Sequence, residues 1–378
     1  MAKKKSFSLL LTVILCIIAI IVGVCAGFVG AHLYDRQTNK LYKSDVVYGG
    51  DISFHFMELG NNYTGDCILI KCGDTEIIVD GGSRTNSVDN IKSYVDEYVT
   101  DGVIEFAIVT HADRDHIACF AGDNSNDSLF EIYEFETIID FPRTNKDTQT
   151  YQTYVSERNK EVANGATHYT ALQCYNQTDG AKRSYEIGTN TTLNILYNYY
   201  YENHSSDENN YSVCFQIEEG DNKYLFTGDL EKEGEEHLVQ DNSLSKVKLY
   251  KAGHHGSRTS SNDCLLDIIQ PEICVCCCCC GSVEYTNNLE NTFPTQEFID
   301  RISKWTTKVY VPTVGTIAQT GVDEVGDPEY EDTGFSSMNG NIVVKSTKGV
   351  VTVECSNNDT LLKDTTWFSE YRTRPTGW

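Results

Sequence analysis

Residues 103–110 read VIEFAIVT, an apolar run suited to a buried strand, and they lead without a break into HADRDH at 111–116. Two imidazoles and two carboxylates thus follow the end of one strand within six residues. The arrangement recurs at YLFTGDLE (224–231) and at KLYKAGHHGS (248–257), where an apolar run again stops at Asp or His. Strand ends are held rigidly by their sheet, so side chains placed there can converge on one site. A chain built this way is constrained to a layered fold with its polar strand ends gathered along one edge.

The surrounding pattern agrees. DISFHFMEL (51–59) alternates as a strand, CILIKCG and TEIIVDGG pair across the Gly73-Asp74 turn, and residues 87–100 suit a helix. TIIDF (137–141) reads as a further strand, and 142–200 as polar helix and loop rich in Tyr and Asn. YENHSSDENNY (201–211) reads as a loop. A second strand-rich half follows: a hairpin over 212–228, a helix over 230–240, the strand 246–252, a helix at CLLDII, and a strand at ICVCCCCC. A helix at TQEFIDRISKW and a strand at KVYVPT lead to a closing hairpin around Lys348-Gly349. No repeat of 20–50 residues is present. Strands and outer helices in two halves imply an α/β chain with helices on both faces.

His111, Asp113, Asp115, His116, Asp229, His254 and His255 form a mixture of imidazole and carboxylate that suits one or two divalent ions. For a single histidine, a solvated loop residue is the better reading; for this many in three strand-end clusters, a metal site is. H-x-D-x-D-H, a strand ending in TGD, and GHHGS together resemble the metallo-β-lactamase superfamily, and within it the hydrolase domain of ComEC-like competence proteins and its stand-alone relatives. GNNYTGDCILI, IIVDGGS, NNYSVCFQIEEGDNKYLFTGDLE and QPEICVCCCCCG fit the same resemblance, which covers roughly 51–355 with a divergent insertion at 142–205.

The resemblance implies a four-layer αββα sandwich over residues 49–356, followed by a C-terminal tail (357–378). It implies that His111 and Asp113 take a first metal position, Asp115 and His116 a second, and that Asp229 bridges them. One of His254 and His255 is a further ligand; the sequence does not distinguish them. Asp80 is expected to orient a histidine from outside the ligand set, and Asn210 and Ser257 to support the site from the same distance. The superfamily's middle histidine has no clear equivalent here. His168 and His204 read as bystanders, and Asn209, Asn210 and Ser212 stand at that place. With Asp113 for a histidine the first position is rich in oxygen, so Mn²⁺ competes with Zn²⁺ as the cofactor. The implied activity is hydrolysis by a metal-bound hydroxide, with Asp115 orienting the attacking water, on a phosphodiester of nucleic acid or another small anion. Ser257 and Lys251 flank the second motif, where they are placed to contact such an anion; Lys251 reads equally as a strand-end surface charge. The alternatives are hydrolysis of an amide, lactam or ester, and a non-catalytic binding protein on a retained fold.

Composition narrows the partners. The net charge is −25, and residues 1–44 carry six Lys/Arg against one Asp, leaving about −30 on the remainder. Such a surface excludes broad electrostatic binding to duplex nucleic acid and favours a short or single-stranded substrate. Phe7–Val29 contains no charge and follows Lys3, Lys4 and Lys5, which predicts a membrane helix in residues 1–34, a linker at 35–48 and an extracytoplasmic body. A cleaved signal and a secreted chain form the alternative. Of 15 cysteines, six stand at 274–280, too close together for a spaced metal motif; a buried strand that uses Cys as a small apolar residue is the expectation.

Overall fold

The structure is a computed structural model that describes residues 52–324 and 326–378. The expected membrane helix, the 35–48 linker and the first residues of the expected domain lie outside the described residues. Among the described residues, no helix is long and apolar enough to cross a membrane.

Two large sheets organise the described chain. The first contains β1 (Ile52–Phe56), β2 (Ile68–Cys72), β3 (Thr75–Val79), β4 (Val103–Ile108), β5 (Glu134–Asp140), β6 (Thr167–Thr170) and, from the far end of the chain, β17 (Ile342–Thr347) and β18 (Val350–Cys355). Their order is β18-β17-β1-β2-β3-β4-β5-β6. The second contains β7 (Ser184–Gly188), β8 (Thr191–Ile195), β9 (Phe215–Glu219), β10 (Asn222–Phe226), β11 (Leu249–Lys251), β12 (Ile273–Val275) and β14 (Val309–Tyr310), in the order β14-β12-β11-β10-β9-β8-β7. A third, smaller sheet joins β13 (Cys279–Cys280), β15 (Thr313–Val322) and β16 (Pro328–Ser337). Each large sheet is antiparallel on one side and parallel on the other, with β3 to β6 parallel in the first and β10, β11, β12 and β14 parallel in the second. The parallel strands β4 and β11 end in the polar clusters seen in the sequence. β11 is buried throughout and β4 is buried toward its C-terminal end, which is why both read as mostly apolar.

Side-chain alternation shows how the layers stack. On β1, Phe54 and Phe56 face the second sheet, with Phe54 4.4 Å from the Tyr224 ring and Phe56 6.4 Å from that of Phe226. His55, between them, faces the other way, against Tyr94 and Tyr98 beside helix α1 (Val88–Val95), and its Nδ1 is 2.9 Å from Tyr94 Oη. On the second sheet Tyr224, Phe226, Leu249 and Val275 belong to the core between the sheets. Leu225, Tyr250 and Cys274, one residue out of phase, belong to a second core with α4 (Lys232–Asp241), α5 (Asp263–Ile269) and α6 (Gln296–Ile302). On the first sheet's side lie α2 (Arg114–Ala121) and α3 (Gln149–Asn164). The chain is thus mixed α/β, with two facing sheets and helices packed on their outer faces.

Three differences from the sequence reading have physical causes. The stretch 142–200 holds three strands, β6 to β8; their half-exposed segments THYT, SYEIG and TTLNI carry no apolar run. The cysteine run is not one strand: β12 ends at Val275, residues 276–278 leave the sheet, and β13 begins at Cys279 in another. All six cysteines are buried and none is disulfide-bonded. Residues 357–378 end in a short helix, α7 (Thr366–Tyr371), whose Trp367 and Phe368 are buried in the second core.

Candidate metal centre

The clusters at the ends of β4, β10 and β11 meet at one place. β4 stops at Ile108, and Thr110 is fixed by Asp80, which accepts from the Thr110 backbone N–H and from its hydroxyl, each at 2.8 Å. Thr110 in turn accepts from Val213 N–H at 2.8 Å, which ties the second half of the chain to the first cluster. Asp113 occupies the N-cap of α2 but makes no capping bond, so its side chain is spent elsewhere. Asp115 and His116 ride on the first turn of α2. The TGD turn requires its glycine: Gly228 has φ +54, and a Cβ there would lie 2.8 Å from Ser212 Oγ. That same Ser212 hydroxyl accepts from Asp229 N–H at 3.0 Å, fixing the carboxylate's backbone. In GHHG both histidines are left-handed, with φ 43 at His254 and 53 at His255. Non-glycine residues hold this conformation only when their surroundings enforce it.

The enforcing contacts differ between the two histidines. His255 is fully buried and its Nδ1 lies 2.8 Å from the Cys277 carbonyl oxygen, so Nδ1 carries the proton and Nε2 presents a lone pair. His116 is set the same way by Asp80, 2.8 Å from its Nδ1. The two Nε2 atoms stand 3.2 Å apart, and Asp229 Oδ2 is 3.1 Å from that of His116 and 3.0 Å from that of His255. Asp115 Oδ2 lies 3.3 Å from His255 Nε2, at the more open edge, with 13% of its side chain exposed. Two imidazole nitrogens and two carboxylate oxygens therefore point at one another.

A divalent cation fits this donor set. Lone pairs this close repel unless positive charge lies between them, and the four are of the types that bind Zn²⁺ or Mn²⁺. The local electrostatics demand the same charge. Burial opposes protonation of His116 and His255, yet Asp229 with Asp80, and Asp229 with Asp66, hold both imidazoles well above their ordinary range. Burial raises the carboxyls of Asp229 and Asp115, but the neighbouring imidazoles outweigh it and bring both below the usual carboxylate range. Asp80 is raised by its burial.

Asp66 also belongs to the centre, and the sequence reading missed it. Its carboxylate lies with atoms of His116, Asp229 and His255 inside a 4.8 Å group. It approaches both imidazoles from the Nδ1 side, at 3.3 Å from His255 and 3.8 Å from His116, and its Oδ2 pairs with Lys251. Asp66 thus balances charge behind the histidines, and Asp115 closes the set in front. Lys251 is 1% exposed and pairs with Asp66 and Asp229, so it does not stand open to an anion. Burial of its ammonium is outweighed by those two carboxylates, which hold its pKa well above normal.

The first expected position is different. His111 is fully buried, its Nδ1 is 3.1 Å from Thr110 Oγ1, and its Nε2 has no hydrogen-bond partner among the described residues. Asp113 Oδ2 stands 3.6 Å from that Nε2, while Asp113 Oδ1 is paired with the ammonium of Lys146. Burial pushes the Asp113 carboxyl up and that of the neutral His111 imidazole well down, the latter helped by His116. An orphaned buried nitrogen beside a carboxylate can ligate an ion, but half of that carboxylate is already committed.

Three expected site residues stand outside the convergent group. His254 turns its Nδ1 toward Glu231 (3.3 Å) and Thr259 (3.1 Å), because the left-handed turn sends successive side chains apart. Ser257 bonds Thr259 Oγ1 at 3.0 Å, so it braces His254 rather than a ligand. Asn210 accepts from Glu231 N–H and donates to Ser205, which makes it a brace of the 205–211 turn. Its neighbour Asn209 has its Nδ2 3.5 Å from His254 Nδ1. His168 pairs with Asp140 at 2.8 Å.

Comparison with known proteins agrees with the resemblance read from the motifs. The model of the metallo-beta-lactamase superfamily matches residues 206–279, which contain TGD and GHHGS. Competence protein ComA of Neisseria gonorrhoeae is 35% identical over 104 residues, 27% of this chain and 14% of its own length. ComE operon protein 3 of Bacillus subtilis is 34% identical over 70 residues, 18% of this chain and 9% of its own. Recombination protein 2 of Haemophilus influenzae is 32% identical over 68 residues, 18% and 8%. The matches thus span a small part of each of these relatives. Among solved structures, the metallo-beta-lactamase fold protein YhfI of Bacillus subtilis aligns with TM-score 0.38 and 12% identity, covering 69% of this chain and 85% of that one. The chain resembles the metallo-β-lactamase superfamily, and the relatives it matches over these short stretches include a competence protein and a ComE operon protein.

Proposed function

We propose that this chain, a metallo-β-lactamase-like protein with a candidate metal site, is a metal-dependent hydrolase of small or single-stranded phosphodiesters. The observation that carries the reading is the convergence of His116 Nε2, His255 Nε2, Asp229 Oδ2 and Asp115 Oδ2, with neighbour distances of 3.0–3.3 Å, at the ends of three strands. The two facing sheets with outer helices support a four-layer αββα architecture for the described part of the expected 49–356 domain.

When bound, a divalent cation supplies Lewis acidity that lowers the pKa of water toward ~7. His116, His255, Asp229 and Asp115 would hold it, and His111 with Asp113 would offer a second, poorer position for Zn²⁺ or Mn²⁺. Asp80 and the Cys277 carbonyl hold the proton on each Nδ1, which keeps both Nε2 atoms as ligands. Asp115, at the open edge, orients the attacking water. Lys146, beside Asp113 and part-exposed, offers a cation to an anionic oxygen of the substrate. The acidic body excludes extended duplex by repulsion.

Residues 1–34 tether this body to the membrane with the hydrolase outside, a reading supported by the sequence alone. The test uses the purified full chain. Metal content is measured, and turnover of bis-p-nitrophenyl phosphate and single-stranded DNA is followed with Zn²⁺ and with Mn²⁺. The expected result is at least one bound equivalent and turnover that disappears when Asp115→Ala and His116→Ala are combined. A chain that binds neither metal and turns over neither substrate contradicts the proposal.

A further inference from the structure

Tyr285 is 54% exposed, an unusual place for a large ring, yet it is tied to the centre of the molecule's chemistry. Its hydroxyl donates to Asp115 Oδ2 at 2.8 Å. Its ring lies 5.7 Å from that of Phe293, which in turn lies 5.7 Å from His254 and 6.2 Å from His255. The hydroxyl end of the ring is therefore beside the metal centre, and part of the ring packs on Phe293 while about half of the residue remains exposed.

The loop that carries Tyr285 is pinned from two sides. From the body, Arg84 pairs with Glu284, and Glu284 also accepts from Thr64 N–H at 3.0 Å. From the long β15–β16 hairpin, Asp332 accepts from Ser282 Oγ at 2.9 Å and from Val283 N–H at 3.2 Å, while Tyr330 N–H donates to Asn287 at 3.0 Å. A loop ordered only to close the site would bury its ring. This one holds the ring in the open, in a fixed orientation, beside the carboxylate that orients water. An exposed aromatic face held in advance loses little freedom when a second planar group stacks on it.

Resting on the hydrolase reading above, we propose that Tyr285 is a substrate-positioning residue whose ring stacks with a planar aromatic group of the phosphodiester, next to the phosphate in the metal centre. Base-on-aromatic stacking tolerates any base, since each has a π face, so the ring selects for an aromatic group without reading sequence. The pinned loop and the Phe293 contact hold the platform, and the hydroxyl contact with Asp115 marks how close its edge comes to the metal centre.

The experiment compares ligands with and without a ring: phenyl phosphate against methyl phosphate, and deoxyadenosine monophosphate against deoxyribose 5-phosphate. Affinities are measured by calorimetry on the metal-loaded full chain and by competition with bis-p-nitrophenyl phosphate turnover. The wild type should prefer the ring-bearing member by about tenfold. Tyr285→Phe keeps the ring and should keep the preference. Tyr285→Ala should abolish it and raise KM about tenfold with kcat within about twofold and metal content unchanged. A preference seen only with the nucleotide pair, or only with the aryl pair, supports the platform and says how far from the phosphate it lies. A preference that survives Tyr285→Ala overturns the proposal. So does a loss in Tyr285→Phe equal to that in Tyr285→Ala, or a loss of bound metal in Tyr285→Ala. Absence of turnover in the wild type would sink the hydrolase reading by itself, while the calorimetric preference would still decide the role of Tyr285.

Discussion

The two halves of HADRDH meet different fates. Asp115 and His116 join His255 and Asp229, and both imidazoles have their Nδ1 committed to a fixed partner. His111 and Asp113, a few residues earlier, are held only locally: the His111 Nδ1 meets its chain neighbour Thr110, its Nε2 has no hydrogen-bond partner among the described residues, and Asp113 is shared with Lys146. The lesson is that ligand identity does not make a metal position. What does is the set of second contacts that aims each lone pair, and those contacts come from segments far away in sequence.

The largest effects are expected at the position whose ligands are aimed. His255→Ala removes one of two facing imidazoles and should abolish tight metal binding and turnover together, as read by metal content after dialysis. The same change at His254 should leave the metal in place. Asp80→Ala leaves every proposed ligand intact but frees His116 Nδ1, and metal affinity should fall about 10–100-fold in a chelator competition. Lys146→Met acts on the other position: with Asp113 released, a second equivalent of Mn²⁺ should bind about tenfold more tightly, ~1.4 kcal/mol, with the first equivalent unchanged. An unchanged second equivalent would show that Lys146 does not set the difference.

A smaller effect separates the scaffold from the site. Burial, with Lys345 and Lys71 nearby, lowers the His55 pKa from 6.5 to about 3. The unfolded chain therefore takes up this proton at a pH where the folded chain refuses it. The resulting stability is complete above pH 6.5 and is lost as pH falls toward 3. Between pH 7 and 5.5 it should amount to about 1 kcal/mol, read as the extra decline in urea stability of the wild type relative to His55→Gln. Equal declines would contradict the assignment.

How much of this could be read from the chain depends on where the information sits. VIEFAIVTHADRDH carries its own strand and its own ligands, and β1 to β4 and the final hairpin were equally local. The choice between His254 and His255 was not, because the residues are identical and contacts from other segments distinguish them, the Cys277 carbonyl for His255 and Glu231 with Thr259 for His254. The same holds for Asp66, whose meaning comes from Lys251, and for Lys146, which lies in a polar stretch that reads as loop. The cysteine run shows the reverse error. Its composition favours one continuous strand, but residues 276–278 leave the sheet and Cys277 supplies the carbonyl that holds His255. The β15–β16 hairpin stayed hidden because its strands are largely exposed and its side chains mostly polar or small.

The most direct measurement is anomalous diffraction at the zinc edge from crystals of the chain grown with Zn²⁺. The strongest peak should lie within ~2.0–2.2 Å of His116 Nε2, His255 Nε2 and an Asp229 oxygen. A peak at the 274–280 cysteines with none between those two histidines would contradict the proposed centre.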